Sequence, residues 1–192
     1  KLKSLGCDIY IESSAGKLSG FSDLSYEESG GKIISDSDQN IWCEADIVFC
    51  VQIPSEDHLN TLKKGAILLG LLSPYGNKNL LKIISNKKIS ALSLELLPRI
   101  SRAQSCDVLS SQANIAGYKA VLLAASELDR YFPMLMTAAG TVQPAKVVVL
   151  GGGVAGLQAV ATAKRLGAIV FVSDIRPAVK EQVESLGSRF IE

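Results

Sequence analysis

Residues 147–174 read VVVLGGGVAGLQAVATAKRLGAIVFVSD. Four apolar residues, 147–150, predict a buried parallel strand that runs into Gly151, Gly153 and Gly156 in G-x-G-x-x-G spacing. A helical segment follows to Leu166, then a break at Gly167 and a second apolar strand over 169–172. The pattern predicts a βαβ unit with a phosphate-binding turn. Gly151 allows the tight turn off the strand, Gly153 lets the backbone approach a pyrophosphate, and Gly156 lets helix and strand pack closely. Phosphates would rest on the helix N-terminus, where unpaired N–H groups and the positive end of the dipole favour an anion. Asp174 closes the second strand, where a carboxylate accepts hydrogen bonds from an adenosine ribose diol and repels a 2′-phosphate, which favours NAD(H). Arg176 argues the other way, because a nearby Arg can accommodate that phosphate. The alternative is a glycine-rich turn in some other α/β protein; the ordered run of strand, glycines, helix, strand and acid weighs against it.

The 192 residues could bury a substantial core and hold one large domain or two small ones. Hydrophobic residues make up 47% and charged residues 20%, as in an ordinary soluble globular protein. A net charge of +1 with scattered Lys and Arg gives no electrostatic reason to expect nucleic acid as a partner. The longest uncharged run, between Lys146 and Lys164, approaches a short membrane span, but three consecutive glycines would break the helix a span needs. No transmembrane segment is expected and no signal peptide is recognisable; the first residue is Lys1 rather than Met. Cys7, Cys43, Cys50 and Cys106 form no C-x-x-C pair, and with the single His58 they make no credible zinc set. Free thiols in a reducing compartment are expected, and no metal.

Upstream, strands are expected over 7–12, 46–51, 66–72 and 89–96. Helices are expected over 23–29, ended by Gly30 and Gly31, over 55–64, opened by Ser55 with Glu56 and Asp57 in its first turn, and over 77–88. Such alternation predicts a parallel sheet covered by helices on both faces. Residues 97–107, LPRISRAQSCD, break the pattern. A helix over 108–131 follows, with Ile115, Tyr118, Leu122, Ala125 and Leu128 on one buried face, and Pro133 restricts Phe132 and should end it. Residues 137–144 read as a linker into the glycine-loop strand.

The fold class is therefore α/β, with two Rossmann-like or flavodoxin-like parallel-sheet domains joined by a long helix. The first domain is placed at 1–106, the connecting helix at 107–133 and the nucleotide-binding domain at 134–192. Both domains are expected to be incomplete. A doubly wound domain uses about six strands, whereas only a helix over 177–186 and the start of a strand over 189–192 follow Asp174, and residues 1–6 resemble the tail of a helix. The chain is thus expected to be a fragment of a longer polypeptide, with exposed sheet edges and apolar faces and low stability in isolation.

A loop leaving the carboxyl end of a parallel strand is where open α/β sheets bind ligands, and Arg99, Arg102, Gln104 and Asp107 offer donors and acceptors there. Composition alone favours a solvated loop in which Asp107 caps the next helix and pairs with an Arg. His58, within SEDHLNTL, reads as exposed on a polar helix face. Cys106 has no neighbouring histidine to activate it, and Ser110 and Ser111 belong to no G-x-S-x-G elbow.

Three segments, 97–121 (LPRISRAQSCDVLSSQANIAGYKAV), 136–170 (MTAAGTVQPAKVVVLGGGVAGLQAVATAKRLGAIV) and 174–187 (DIRPAVKEQVESLG), together resemble the NAD(H)-binding component, the alpha subunit, of the proton-translocating NAD(P) transhydrogenases. The related alanine dehydrogenases share the two-domain architecture and the glycine loop. They carry a catalytic histidine after the strand ending at Leu72, where this chain has Ser73, Pro74 and Tyr75, which argues against amino-acid oxidation.

The resemblance implies that NADH, bound between the two domains, passes hydride directly to NADP⁺ on a separate NADP(H)-binding component, while a membrane component couples the transfer to proton movement. The task left to this chain is positioning. On the matching positions Arg99, Ile100, Ser101, Arg102 and Gln104 would line the nicotinamide end, with Gln104 orienting the ring and its carboxamide. Asp107 with Arg99 would fix the loop, and Ser110 and Tyr118 would support it. Val154, Asp174, Ile175 and Arg176 would join Gly151, Gly153 and Gly156 in holding the pyrophosphate and adenosine. The family tolerates an Arg after the acidic residue while using NAD(H). A homodimer is implied, peripheral on the cytoplasmic side of a bacterial inner membrane or the matrix side of the mitochondrial one. An alanine-dehydrogenase-like NAD-dependent oxidoreductase and a non-catalytic NAD(H)-sensing module stand as alternatives.

Overall fold

The first apolar run forms a short strand, β1 (Tyr10–Glu12), paired in parallel with β2 (Lys32–Ile34). Nothing local announces β2, because three residues between Gly30-Gly31 and a polar run carry no periodic signal. The connecting helix α1 (Asp23–Glu28) is capped by Ser22, whose Oγ accepts from the Ser25 N–H at 3.2 Å. The computed structural model describes residues 1–35 and 38–191. They divide into two compact units, Lys1–Leu97 and Pro98–Glu192, the end of the last expected strand at residue 192 lying outside the described residues.

The first unit continues through α2 (Gln39–Glu44), β3 (Ile47–Cys50), α3 (Glu56–Thr61), β4 (Ile67–Gly70), α4 (Lys78–Lys87) and β5 (Ser90–Ser93). These strands form a parallel sheet in the order β3-β4-β5. Local chemistry sets the helix ends: Ser55 Oγ accepts from the His58 N–H, Asn77 Oδ1 from the Leu80 N–H, and Lys88 closes α4 in the left-handed region at φ 54°. The core gathers Leu59, Leu62, Leu68, Leu72, Leu80 and Ile89. Strands laid down in one direction by right-handed crossovers put α3 and α4 on the same side of the sheet. On the other side Phe49 and Leu92, brought into one row by the register through Leu69, and Ile47, two residues before Phe49, stay exposed. The expectation of helices on both faces is therefore corrected for these strands.

The second unit begins with a 3₁₀ turn, Ser101–Cys106, leading into α5 (Val108–Glu127). An antiparallel hairpin follows, β6 (Leu135–Thr137) and β7 (Gly140–Val142), then β8 (Lys146–Leu150), α6 (Val154–Arg165), β9 (Ile169–Ser173), α7 (Val179–Ser185) and β10 (Arg189–Ile191). The parallel sheet runs β10-β9-β8, and its buried face packs Val170 and Val172 against Val160, Ala163 and Val183 of the crossover helices. Val148 and Leu150 point to the opposite, exposed face.

Several expectations for this unit are overturned. Helix α5 ends at Glu127 rather than near residue 131: Leu128 makes the last helical bond, to Ala124 O at 3.1 Å, and turns extended. The reason is tertiary, since Phe132 is drawn into the core and its carbonyl accepts from the Ala145 N–H at 3.0 Å. Pro133 does not stop the helix; it packs on Gly167, where a Cβ would lie 2.7 Å from the proline Cβ. The linker expected over 137–144 holds the turn and second strand of the hairpin, fastened by Thr137 Oγ1 donating to Gly140 O at 2.9 Å.

The buried face of α5 is only partly as expected: Ala125 packs against the core and Leu122 is half-buried. Ile115 and Tyr118 are 58% and 49% exposed and Leu128 is exposed as well, whereas Gly117 and Val121 are buried, one helical turn apart. The sequence VLSSQANIAGYKAVLLAASE is apolar around most of the helix, so its periodicity singles out no face. Small side chains decide instead. A Cβ on Gly117 would strike the Ala155 carbonyl oxygen and lie 3.0 Å from Ala155 Cα, so α5 and α6 cross in backbone contact at this glycine.

Candidate functional site

β8 delivers the chain to Gly151, which takes φ 98°, a region closed to most side chains, and turns it off the sheet. Gly153 is the N-cap of α6; no side chain caps that end, and a Cβ built on Gly153 meets nothing within 4 Å. That end of α6 is therefore uncapped and open at Gly153, as an anion-binding helix start requires. Gly156 sits where a Cβ would strike the Gly151 carbonyl oxygen, so the loop folds back onto its own helix. Each glycine has the environment its spacing predicts, and the residues fit a pyrophosphate.

The motif spacing leaves Gly152 without a role, yet the structure gives it one. It is buried, a Cβ there would collide with Val179 Cγ1, and its N–H donates to Asp174 Oδ2 at 2.7 Å. Three glycines in a row were the available signal. Asp174 also accepts from the Arg176 backbone N–H at 2.8 Å and pairs with its guanidinium at 2.9 Å. Hydrogen bonds from the Arg176 side chain, then from the Arg176 and Gly152 amides, hold its carboxyl far below the usual carboxylate range. Val154 and Ile175 are exposed beside the loop.

The segment 99–107 belongs to the same unit as the glycine loop. Arg99, Ile100, Ser101, Arg102 and Gln104 are exposed on and before the 3₁₀ turn. Asp107 caps α5: its Oδ1 accepts from the Ser110 N–H at 2.9 Å and its Oδ2 from Ser110 Oγ at 2.7 Å. The cap points the Asp107 carboxylate at its own helix, while Arg99 lies near enough to act on it as a positive charge. Ser110 supports the loop directly, while Tyr118 is exposed further along α5. α5 thus carries both halves of the arrangement, the clasped 3₁₀ segment at its start and the seat of α6 at Gly117.

The Ser110 bonds lower the Asp107 carboxyl below its ordinary value. A depressed acid contributes stability that is present above its unfolded pKa, about 4, and is lost as pH falls through the lower folded value. Asp107→Asn should therefore flatten the acid side of the stability curve, with the melting temperature of the variant dropping less than that of the parent between about pH 5 and pH 2. Parallel melting curves across that interval would contradict the capping role.

Among the tempting side chains of the first unit, His58 is half-buried rather than exposed: its ring stacks on Trp42 with centroids 4.4 Å apart and planes within 2°. That leaves Cys106, exposed beside Ser105, with the chain's single imidazole committed elsewhere. Glu95 escapes a reading of the sequence. It follows β5, accepts from Ser93 Oγ at 2.6 Å and from the Leu72 N–H at 3.2 Å, and binds the Ser73 N–H, pinning the turn in which Ser73 takes φ 44°. Burial pushes its carboxyl up, but these bonds outweigh it and the net direction is down. The start of the segment 73–75, which differs from the alanine dehydrogenase pattern, is thus held at Ser73 by a carboxylate from the 3₁₀ turn after β5. Burial and the Glu95 charge together push the Cys50 thiol up, leaving it protonated.

The family models of the alanine dehydrogenase/PNT N-terminal and C-terminal domains match residues 1–116 and 120–192. An NAD(P) transhydrogenase subunit alpha protein of Rhodospirillum rubrum is 49% identical over 196 residues, covering 100% of this chain and 51% of that protein. The NAD(P) transhydrogenase subunit alpha of Haemophilus influenzae is 45% identical over 192 residues, covering 100% and 37%. The chain thus spans about half the length, or less, of these curated relatives. Among solved structures, transhydrogenase from Sinorhizobium meliloti matches with a TM-score of 0.92 at 49% identity, over 100% of this chain and 57% of that one. An L-alanine dehydrogenase matches with a TM-score of 0.80 at 28% identity, over 98% and 53%. With both domain models matched in order and the Rossmann-like α/β architecture in common, the chain belongs to the alanine dehydrogenase/PNT family.

Proposed function

We propose that this chain is part of the NAD(H)-binding component of a proton-translocating transhydrogenase. The observation that carries the reading is the glycine turn with its open α6 N-terminus and its Asp174 contact, on the same unit as the exposed 99–107 segment. The marked identity to transhydrogenase alpha subunits supports it over amino-acid oxidation, as does the run Ser73, Pro74, Tyr75 after Leu72, where the alanine dehydrogenases carry a histidine. Bound NADH would supply the hydride, delivered to NADP⁺ on a separate component. The α6 amides would hold the pyrophosphate and Asp174 the adenosine ribose. Gln104, with Arg99, Ile100, Ser101 and Arg102, would set the angle and distance of the nicotinamide ring, and the Asp107–Ser110 clasp would keep that segment in place. No residue here needs to move a proton.

The partners in this reading are the NADP(H)-binding component and a membrane proton channel, with a second copy of the chain as a homodimer. Attachment would be peripheral, on the cytoplasmic side of a bacterial inner membrane or the mitochondrial matrix side. Among the described residues no helix is long and apolar enough to cross a membrane.

Gln104→Asn in the complete enzyme tests the positioning role. It should slow hydride transfer about a hundredfold, since a displacement near 1 Å has that effect, while NADH binding changes little. Unaltered transfer would refute the role of Gln104. Reduction of NAD⁺ by alanine alone would favour the alanine dehydrogenase reading, and NADH binding without any transfer to NADP⁺ would favour a sensor.

A further inference from the structure

Both carboxylate oxygens of Asp174 are saturated by donors from this chain. Oδ1 accepts from the Arg176 backbone N–H at 2.8 Å and from its Nε at 3.0 Å; Oδ2 accepts from the Gly152 N–H at 2.7 Å and from Arg176 Nη2 at 2.9 Å. An ionised carboxylate offers about four acceptor positions, so a ribose diol finds none vacant. The two backbone donors belong to the glycine turn and to the turn after β9. The two side-chain donors do not belong to the fold. The Asp174 side chain is 5% exposed and the Arg176 side chain 59%, so the guanidinium lies over the carboxylate from the solvent side. Rotating Arg176 outward frees one position on each oxygen and breaks no backbone contact. Vicinal ribose hydroxyls bring one donor to each oxygen.

We propose that the Arg176 guanidinium stands in for the adenosine ribose diol, competing with the dinucleotide for Asp174, so that cofactor binding requires Arg176 to swing out. This rests on the reading of Asp174 as the ribose acceptor. Two consequences follow. The competition lowers NADH affinity, though only modestly, because an ion pair open to solvent is weak. The displaced cation also remains beside the 2′ position, where it softens the rejection of a 2′-phosphate that Asp174 alone would impose. Arg176 is therefore a specificity-determining residue whose effects on NADH and NADPH have opposite signs.

Calorimetric titration of the full-length protein with NADH and with NADPH tests this. Arg176→Met keeps the aliphatic stem and loses the fork; the NADH dissociation constant should fall about two- to fivefold while that for NADPH rises. Arg176→Lys, which keeps the charge without the planar fork, should gain NADH affinity with little loss of NADPH. Weaker or unchanged NADH binding by Arg176→Met overturns the proposal, as does a gain that persists in the Asp174→Asn/Arg176→Met double variant, where no carboxylate remains to be released. Asp174→Asn alone separates the two levels. Undiminished NADH binding there refutes the ribose role itself, whereas a loss there with no gain in Arg176→Met keeps that role and refutes the competition.

Discussion

Gly156→Ala should weaken NADH binding by at least about tenfold and lower the stability of the second unit by about 1–2 kcal/mol. Alanine inside a helix normally gains roughly 0.5–1 kcal/mol over glycine, so helix propensity predicts the opposite sign. Geometry decides between them. The new methyl would strike the Gly151 carbonyl oxygen and lie 2.9 Å from the Gly151 carbonyl carbon, and backbone atoms cannot swing aside as a flexible side chain can. Either α6 lifts from β8 or the turn reopens, and both displace the amides on which the phosphates would rest. Loss of one charge-assisted hydrogen bond is enough for a tenfold change. Binding of ADP-ribose should fall with that of NADH, because the damage lies at the phosphates and not at the nicotinamide. Chemical denaturation and titration check both numbers; a more stable variant with intact binding would overturn the close-packing role.

Gly117→Val should cost about 3 kcal/mol, at the upper end of overpacking, because valine's helix propensity is only slightly better than glycine's and offsets little of it. The substituent has no room, since the Cβ position already falls on the Ala155 carbonyl. The variant should also raise the NADH dissociation constant more than that of ADP-ribose. Pushing α5 off α6 moves the clasped segment 101–106 relative to the glycine turn, which stays with β8. Denaturation and the two titrations separate these outcomes. A loss of stability without any change in relative affinity would mean that α5 does not register the two halves of the site.

The parts of this molecule legible in the sequence are those whose causes lie within a few residues. The strand–glycine–helix–strand run over 147–174 folds as read, because φ at Gly151, the open approach at Gly153 and the contact at Gly156 are consequences of spacing along one segment. Ser55 and Asp107 cap their helices as their positions predict, since an N-cap bond spans three residues. The readings that failed needed a partner distant in the chain. Helix α5 is apolar on most sides, and only its crossing with α6 selects Gly117 and Val121 over Ile115 and Tyr118. Its early end depends on where Phe132 finds a core, and the role of Pro133 on the bend at Gly167. Glu95 reads as an ordinary strand-end acid until the adjacent strand brings the Leu72 and Ser73 amides to it.

The sequence by itself determined that a strand–glycine–helix turn is present and that an acid ends the second strand, where the proposed function puts the ribose, because both follow from residue types at fixed local offsets. Only the tertiary structure decided the state of that acid. The Gly152 amide comes from another strand end, the Arg176 fork folds back over the carboxylate, and all four acceptor positions are filled by groups whose approach depends on the path of the backbone in space.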